Sequence, residues 1–175
     1  MPTTIAFTPD EIAKATKFAE DVETHNRRQV RSSDQIRDNR IGKLGEIAFA
    51  NFLEANGKQR LGDEDMFTEW AGTRNVDKKD FETADGKTID VKTASKSFHS
   101  RILVPSDQYE DQAKHYYVGV RISEKEKTAT IIGYAIHGEL KLFAGARYHP
   151  AYAIELNNLH PINELLDMIP DAHES

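Results

Sequence analysis

The spacing of apolar positions changes several times along the chain, and each change marks an element. Thr8-Pro9-Asp10-Glu11 opens a helix: Thr8 suits an N-cap, Pro9 the first helical position, and Glu11 closes a capping box. Ile12, Ala15, Phe18, Ala19 and Val22 then recur at helical spacing, which predicts one amphipathic helix running to about His25. A second stripe, Ile41, Leu44, Ala48 and Phe52, predicts a helix over residues 39–56 that Gly57 ends. Beyond it the period falls to two. Residues 64–70 predict a short strand around Met66, and residues 116–122 and 128–137 predict a meander joined by the charged turn 123–127. Residues 106–115 read as a short helix and 151–156 as an edge strand. Residues 161–169 read as a closing helix with Ile162, Leu165, Leu166 and Ile169 facing the core.

The stretch that organises the rest is residues 79–94, KDFETADGKTIDVKTA, which reads as a β-hairpin. Phe81, Ile89 and Val91 supply its apolar face, so alternation sends Asp90 and Lys92 together to the other. A two-residue turn at Asp85-Gly86 would oppose Phe81 to Asp90, an apolar side chain to a charge. A three-residue loop, Ala84-Asp85-Gly86, instead pairs Phe81 with Ile89, gives the glycine the left-handed position, and sets Asp80 beside Asp90. Two carboxylates and an ammonium then converge. Adjacent carboxylates repel unless a cation sits between them, and hard oxygen donors suit Mg²⁺ or Mn²⁺. A metal held there polarises a phosphodiester and acidifies bound water, and Lys92 is placed to orient that water or to neutralise charge on the phosphate. That is the chemistry of a nuclease.

Asp80 followed by Asp90-Val91-Lys92 resembles the D…(D/E)-x-K signature of the PD-(D/E)XK nuclease superfamily, which includes restriction endonucleases and Holliday-junction resolvases. Lys79 stands where that family's name has proline. Asp77-Lys78-Lys79, Asp85-Gly86-Lys87 and Glu139-Leu140-Lys141 match the tripeptide too, but only Asp90 has an acid placed for it on a partner strand. Glu46 falls at the margin of the second helical stripe, where it is either an ordinary surface glutamate or one that reaches past the core, and GKLGEIAF (residues 42–49) resembles the family's first core helix, whose glutamate points to the metal. The resemblance implies an α/β fold with a restriction-endonuclease-like αβββαβ core, a central mixed sheet flanked by helices and extended by extra strands. It also implies Asp80, Asp90, Glu46 and the Val91 carbonyl as metal ligands, Lys92 as the catalytic lysine, and products with 5′-phosphate and 3′-hydroxyl ends.

Composition sets bounds on this reading. With 175 residues, 38% of them hydrophobic, the chain supports one core, and a single domain is expected over residues 1–175 with a helical segment at 8–56. The absence of cysteine excludes disulfides, thiolate catalysis and thiolate metal sites. A formal net charge of −6 argues against a general nucleic-acid coat but leaves room for a local basic face. Residues 27–43 carry Arg27, Arg28, Arg31, Arg37, Arg40 and Lys43 against Asp34 and Asp38. That excess fits either a phosphate-contacting segment, with Arg37, Arg40 and Lys43 as its contacts, or a solvated connection laced with salt bridges. Ser95 and Lys96 leave the end of the Asp90 strand and are placed to clamp a substrate backbone or to lie in an ordinary loop. The histidines show no metal-ligand spacing, and no run is long and apolar enough for a membrane span, so a cytoplasmic protein is expected.

The expected function is therefore a Mg²⁺- or Mn²⁺-dependent DNA endonuclease, acting as a homodimer or within a larger nucleic-acid-processing complex. A non-catalytic nucleic-acid-binding or assembly module and an RNA-cleaving nuclease are the alternatives.

Overall fold

The computed structural model describes residues 2–25, 33–62, 66–67, 81–96, 98–143 and 150–172. In chain order these form β1 (Thr3–Ala6), α1 (Pro9–His25), α2 (Ser33–Ala55), β2 (Phe81–Glu82), β3 (Thr88–Ala94), β4 (Arg101–Pro105), α3 (Ser106–Asp111), β5 (Tyr116–Ser123), β6 (Thr128–Ile136), β7 (Lys141–Phe143), β8 (Ala151–Glu155) and α4 (Ile162–Leu166). The fold is mixed α/β. Arg27, Arg28, Arg31, Asp77 and Asp80 lie outside the described residues, as do the side chains of Val22 and Asp34.

Local chemistry sets the helix ends. The Thr8 amide donates to Glu11 Oε1 (2.9 Å) and the Glu11 amide to Thr8 Oγ1 (3.1 Å), so the capping box forms as its sequence predicts. α2 begins at Ser33, six residues before the helix start expected at residue 39. Ion pairs explain the extension: Arg37 Nε lies 3.2 Å and an Arg40 guanidinium nitrogen 2.9 Å from the Glu124 carboxylate in the β5–β6 turn. Ile41, Leu44, Ile47, Ala48, Phe49, Phe52 and Leu53 are all buried, because α1 packs on one side of α2 and the sheet on the other.

Among the described residues, five strands form one sheet in the order β1-β6-β5-β3-β2. Its pairs are antiparallel except β3 with β5, which run parallel with Asp90 beside Tyr117 and Lys92 beside Gly119. β4, β8 and β7 form a second, antiparallel sheet, so β8 is central there rather than the edge strand its sequence suggests. β4 was not foreseen. Met66, expected in a strand, sits in a helical turn.

The first sheet has two covered faces. Ile89, Val91, Val118, Val120 and Ile131 pack with α2 and with Ile162, Leu165, Leu166 and Ile169 at the C-terminal end. On the other face Ala94, Tyr117 and Ala135 pack with Ile102, Val104, Ile154 and Leu156 of the second sheet and its flank. No helix among the described residues is long and apolar enough to cross a membrane.

The approach of α2 to β3 depends on Gly45: a Cβ there would collide with the Thr93 methyl and lie 3.3 Å from Val91 Cγ1. Gly45→Ala should therefore destabilise the fold by about 1–3 kcal/mol in urea unfolding. Gly42→Ala, three residues away with nothing within 4 Å of the new methyl, should be neutral or stabilising. Equal effects of the two changes would mean that this helix–strand contact is loose.

Candidate active site on strand β3

The β2–β3 turn forms in the register that its apolar residues select. Phe81 pairs with Ile89 and Glu82 with Thr88. The Gly86 amide donates to the Thr83 carbonyl (3.0 Å), the Thr83 amide donates to the Lys87 carbonyl (2.9 Å), and Gly86 has φ +83°. This is the three-residue loop with glycine in the left-handed position. Thr83 is buried, and its hydroxyl donates to the Asp85 carboxylate, the main reason that carboxyl is held below its usual pKa.

β3 alternates as TIDVKTA should, with Ile89 and Val91 in the core against α2 and Asp90 and Lys92 on the opposite face. Lys92 Nζ lies 3.0 Å from Asp90 Oδ2, with the two side chains 18% and 20% exposed. That partial burial strengthens the pair relative to a surface bridge and leaves both groups reachable from solvent. The Val91 amide donates to Asp90 Oδ1 at 3.0 Å.

Gln108 completes the cluster. Lys92 Nζ donates to its Oε1 at 2.9 Å, and its Nε2 donates to Asp90 Oδ2 at 3.3 Å, so one amide satisfies the ammonium and the carboxylate together. Gln108 rides on α3, six residues long and too short to hold itself. Aromatic stacking holds it instead. The Tyr109 ring lies between His137 (3.9 Å) and Tyr152 (3.8 Å), and its hydroxyl donates to the His137 carbonyl at 2.7 Å. At the start of β3, the Thr88 amide donates to His115 Nδ1 (3.1 Å) and the His115 amide to the Thr88 carbonyl (3.1 Å), which fixes the parallel register with β5.

The remaining expected site residues are distributed differently. Glu46 lies on α2, and Gly45 beside it faces Val91 and Thr93, so its helix covers the face of β3 opposite Asp90. Its carboxylate holds Lys43 Nζ at 2.6 Å. Lys43 was expected at a nucleic-acid surface, but it is only 2% exposed; its ammonium also donates to the Met66 carbonyl and sits 4.1 Å above the Phe18 ring. Its position is interior because the cation is satisfied on three sides there. Arg37 and Arg40 meet Glu124: partial burial alone would raise that carboxyl's pKa, but hydrogen bonds and charge from the two arginines outweigh it and hold the pKa below the ordinary glutamate value. Of the two sequence readings of residues 27–43, these contacts are those of the salt-bridged connection.

Ser95 and Lys96 lead into a turn pinned to β5, where the Arg121 guanidinium donates to the Lys96 carbonyl (3.0 Å) and the His99 carbonyl (2.8 Å). Burial, then the charges of Lys96 and Arg121, push the His99 imidazole below its ordinary pKa. Among the described residues no three of His, Asp or Glu gather in a set that could hold a metal ion. Asp80, the acid expected beside Asp90, is outside that set.

Gln108 and Arg121 escaped sequence reasoning because their partners are distant in the chain. Gln108 lies 16 residues from Lys92, and only the β4–α3 crossover brings them together.

A family described as "Protein of unknown function (DUF1822)" matches residues 93–175. The match begins directly after Lys92, so it covers β4 to α4, including Gln108, and leaves Asp90 and Lys92 outside. No curated protein matches the chain.

Proposed function

We propose that the protein is a metal-dependent endonuclease of the PD-(D/E)XK type, hydrolysing DNA phosphodiesters at the Asp90–Lys92 cluster. The observation that carries this reading is the pairing of a half-buried carboxylate and ammonium on one face of a strand, with both held by Gln108. The register Phe81 to Ile89, on which the placement of Asp80 depends, supports it. The topology is in keeping with part of the αβββαβ order: helix α2 precedes the β2–β3 hairpin, and the chain crosses through α3 to β5, which runs parallel to β3.

The donor set fits a hard divalent cation in kind, since Asp90 and Asp80 offer carboxylate oxygens and Val91 a carbonyl. Glu46 fits less well, with one of its oxygens already committed to Lys43. Bound there, Mg²⁺ or Mn²⁺ would supply Lewis-acid polarisation of the phosphate and a lowered pKa for a coordinated water. Lys92 then has two tasks: its ammonium donates to the attacking water or to a non-bridging phosphate oxygen, and it offsets charge that grows in the transition state. Gln108 orients Lys92 through its carbonyl and Asp90 through its amino group, so it acts as a positioning residue.

The reading is tested with supercoiled plasmid, a four-way junction and tRNA, each incubated with Mg²⁺, Mn²⁺ or EDTA. Metal-dependent nicking of DNA that leaves 5′-phosphate ends is expected. Cleavage of tRNA alone would turn the assignment to an RNA nuclease, and binding without cleavage in any metal would turn it to a non-catalytic module.

A further inference from the structure

Beside Lys92 the surface opens into a cleft of about 470 Å³ whose walls include Gly42, Phe98, His99, Arg101 and Leu103. That volume falls within the range of small-ligand sites, roughly 300–1,000 Å³. Its chemistry is uneven in an informative way: among the described residues no carboxylate lines it, whereas Lys92 and Arg101 do, their own partners Asp90 and Glu155 standing outside its lining. Two of its side chains are apolar and open to solvent, Phe98 at 74% exposure and Leu103 at 41%.

Phe98 is held in place without being buried. The turn that carries it is closed by the His99 amide donating to the Lys96 carbonyl (3.0 Å) and is fastened to β5 by the two Arg121 bonds. The His99 ring meets Phe98 edge-on at 4.9 Å, and Lys96 Nζ lies 5.6 Å from its centroid. A large aromatic ring is thus presented to solvent beside the Lys96 ammonium and within the same cleft as the proposed catalytic lysine.

We propose that this cleft takes an unpaired nucleobase of a DNA strand, stacked on Phe98 and flanked by Leu103, so that the enzyme acts on single-stranded or unpaired regions rather than on intact duplex. The inference deepens the nuclease reading and rests on it for the identity of the ligand. Bases inside a duplex have both faces occupied by their neighbours, so a protein ring stacks readily only on a base that is out of the helix. The cations meet the backbone phosphate on either side of that base.

Binding in EDTA separates this inference from catalysis. Short oligothymidylate and a blunt duplex of equal length, both fluorescently labelled, are titrated with wild type, Phe98→Ala and Phe98→Trp at several salt concentrations. Phe98→Ala should weaken single-strand binding about ten-fold, leave duplex binding unchanged, and leave the salt slope unaltered because no charge is lost. Phe98→Trp should restore binding and show quenching of the new indole by the bound base. Single-strand affinity within about two-fold of wild type in Phe98→Ala would overturn the inference, as would an equal loss for duplex. The Mg²⁺ cleavage assay run in parallel keeps the two readings apart. Duplex nicking with Phe98-independent binding overturns the nucleobase site alone, whereas Phe98-dependent binding with no cleavage upholds it and removes the nuclease.

Discussion

Asp90→Asn and Lys92→Ala should each lower DNA cleavage by about a hundred-fold or more while leaving the protein folded. The expectation follows from the geometry of β3: both side chains face away from the Ile89–Val91 core, so their loss removes charge at the reacting face and leaves that packing in place. Asp85 provides an internal control, since Asp85-Gly86-Lys87 also fits the acid-x-lysine pattern but lies at an exposed turn. Asp85→Asn should cut at the wild-type rate. Gln108→Leu should fall between, about ten- to a hundred-fold down, as expected when a group that orients another is removed. Steady-state cleavage with circular dichroism melts on the same samples measures all four. Activity that survives Asp90→Asn but is lost in Asp85→Asn would move the site to the turn.

The largest effect on stability is expected at Lys43. Removing one partner of a buried ion pair leaves the other uncompensated, a loss of about 3–5 kcal/mol. Lys43 is 2% exposed and Glu46 17%, so Lys43→Ala should fall near the lower end of that range, because the stranded glutamate retains some access to water. Lys43→Met combined with Glu46→Gln should recover much of the loss, since the stem volume returns and no charge is stranded. Urea denaturation of the two variants reads this directly. A loss below about 1 kcal/mol for Lys43→Ala would mean that the pair behaves as an exposed one. The same variants decide the role of Glu46, because a glutamate needed only to hold Lys43 can be replaced by Gln without loss of cleavage.

The fold was legible wherever local chemistry was sufficient. The Thr8–Glu11 capping box, the Ala84-Asp85-Gly86 loop and the β5–β6 meander each depend on residues a few positions apart, and each forms as read. What escaped depends on pairing at a distance. β4 and β7 are short strands that, among the described residues, gain their ladder from β8 alone, and a run such as Arg101–Pro105 carries too few alternating positions to announce itself. The same holds for the candidate site. Alternation alone placed Asp90 and Lys92 on one face, but it could not supply Gln108, which reaches them through tertiary structure. Lys43 was misplaced because its charge suggested a surface, whereas Glu46, three residues on, and the Phe18 ring give that cation an interior site.

At Asp90 two effects on stability oppose each other. Crowded carboxylates alone would make the metal-free fold gain from Asp90→Asn, but Asp90 already bridges Lys92 and accepts from Gln108. Without metal, Asp90→Asn should therefore melt below wild type. Metal binding itself is the most direct test of the proposed chemistry. Mn²⁺ titrated into wild type and Asp90→Asn, with free ion followed by electron paramagnetic resonance, should show uptake by the wild-type protein that Asp90→Asn loses. Equal uptake by the two proteins would mean that Asp90 is no ligand, and would contradict a metal-dependent nuclease centred on β3.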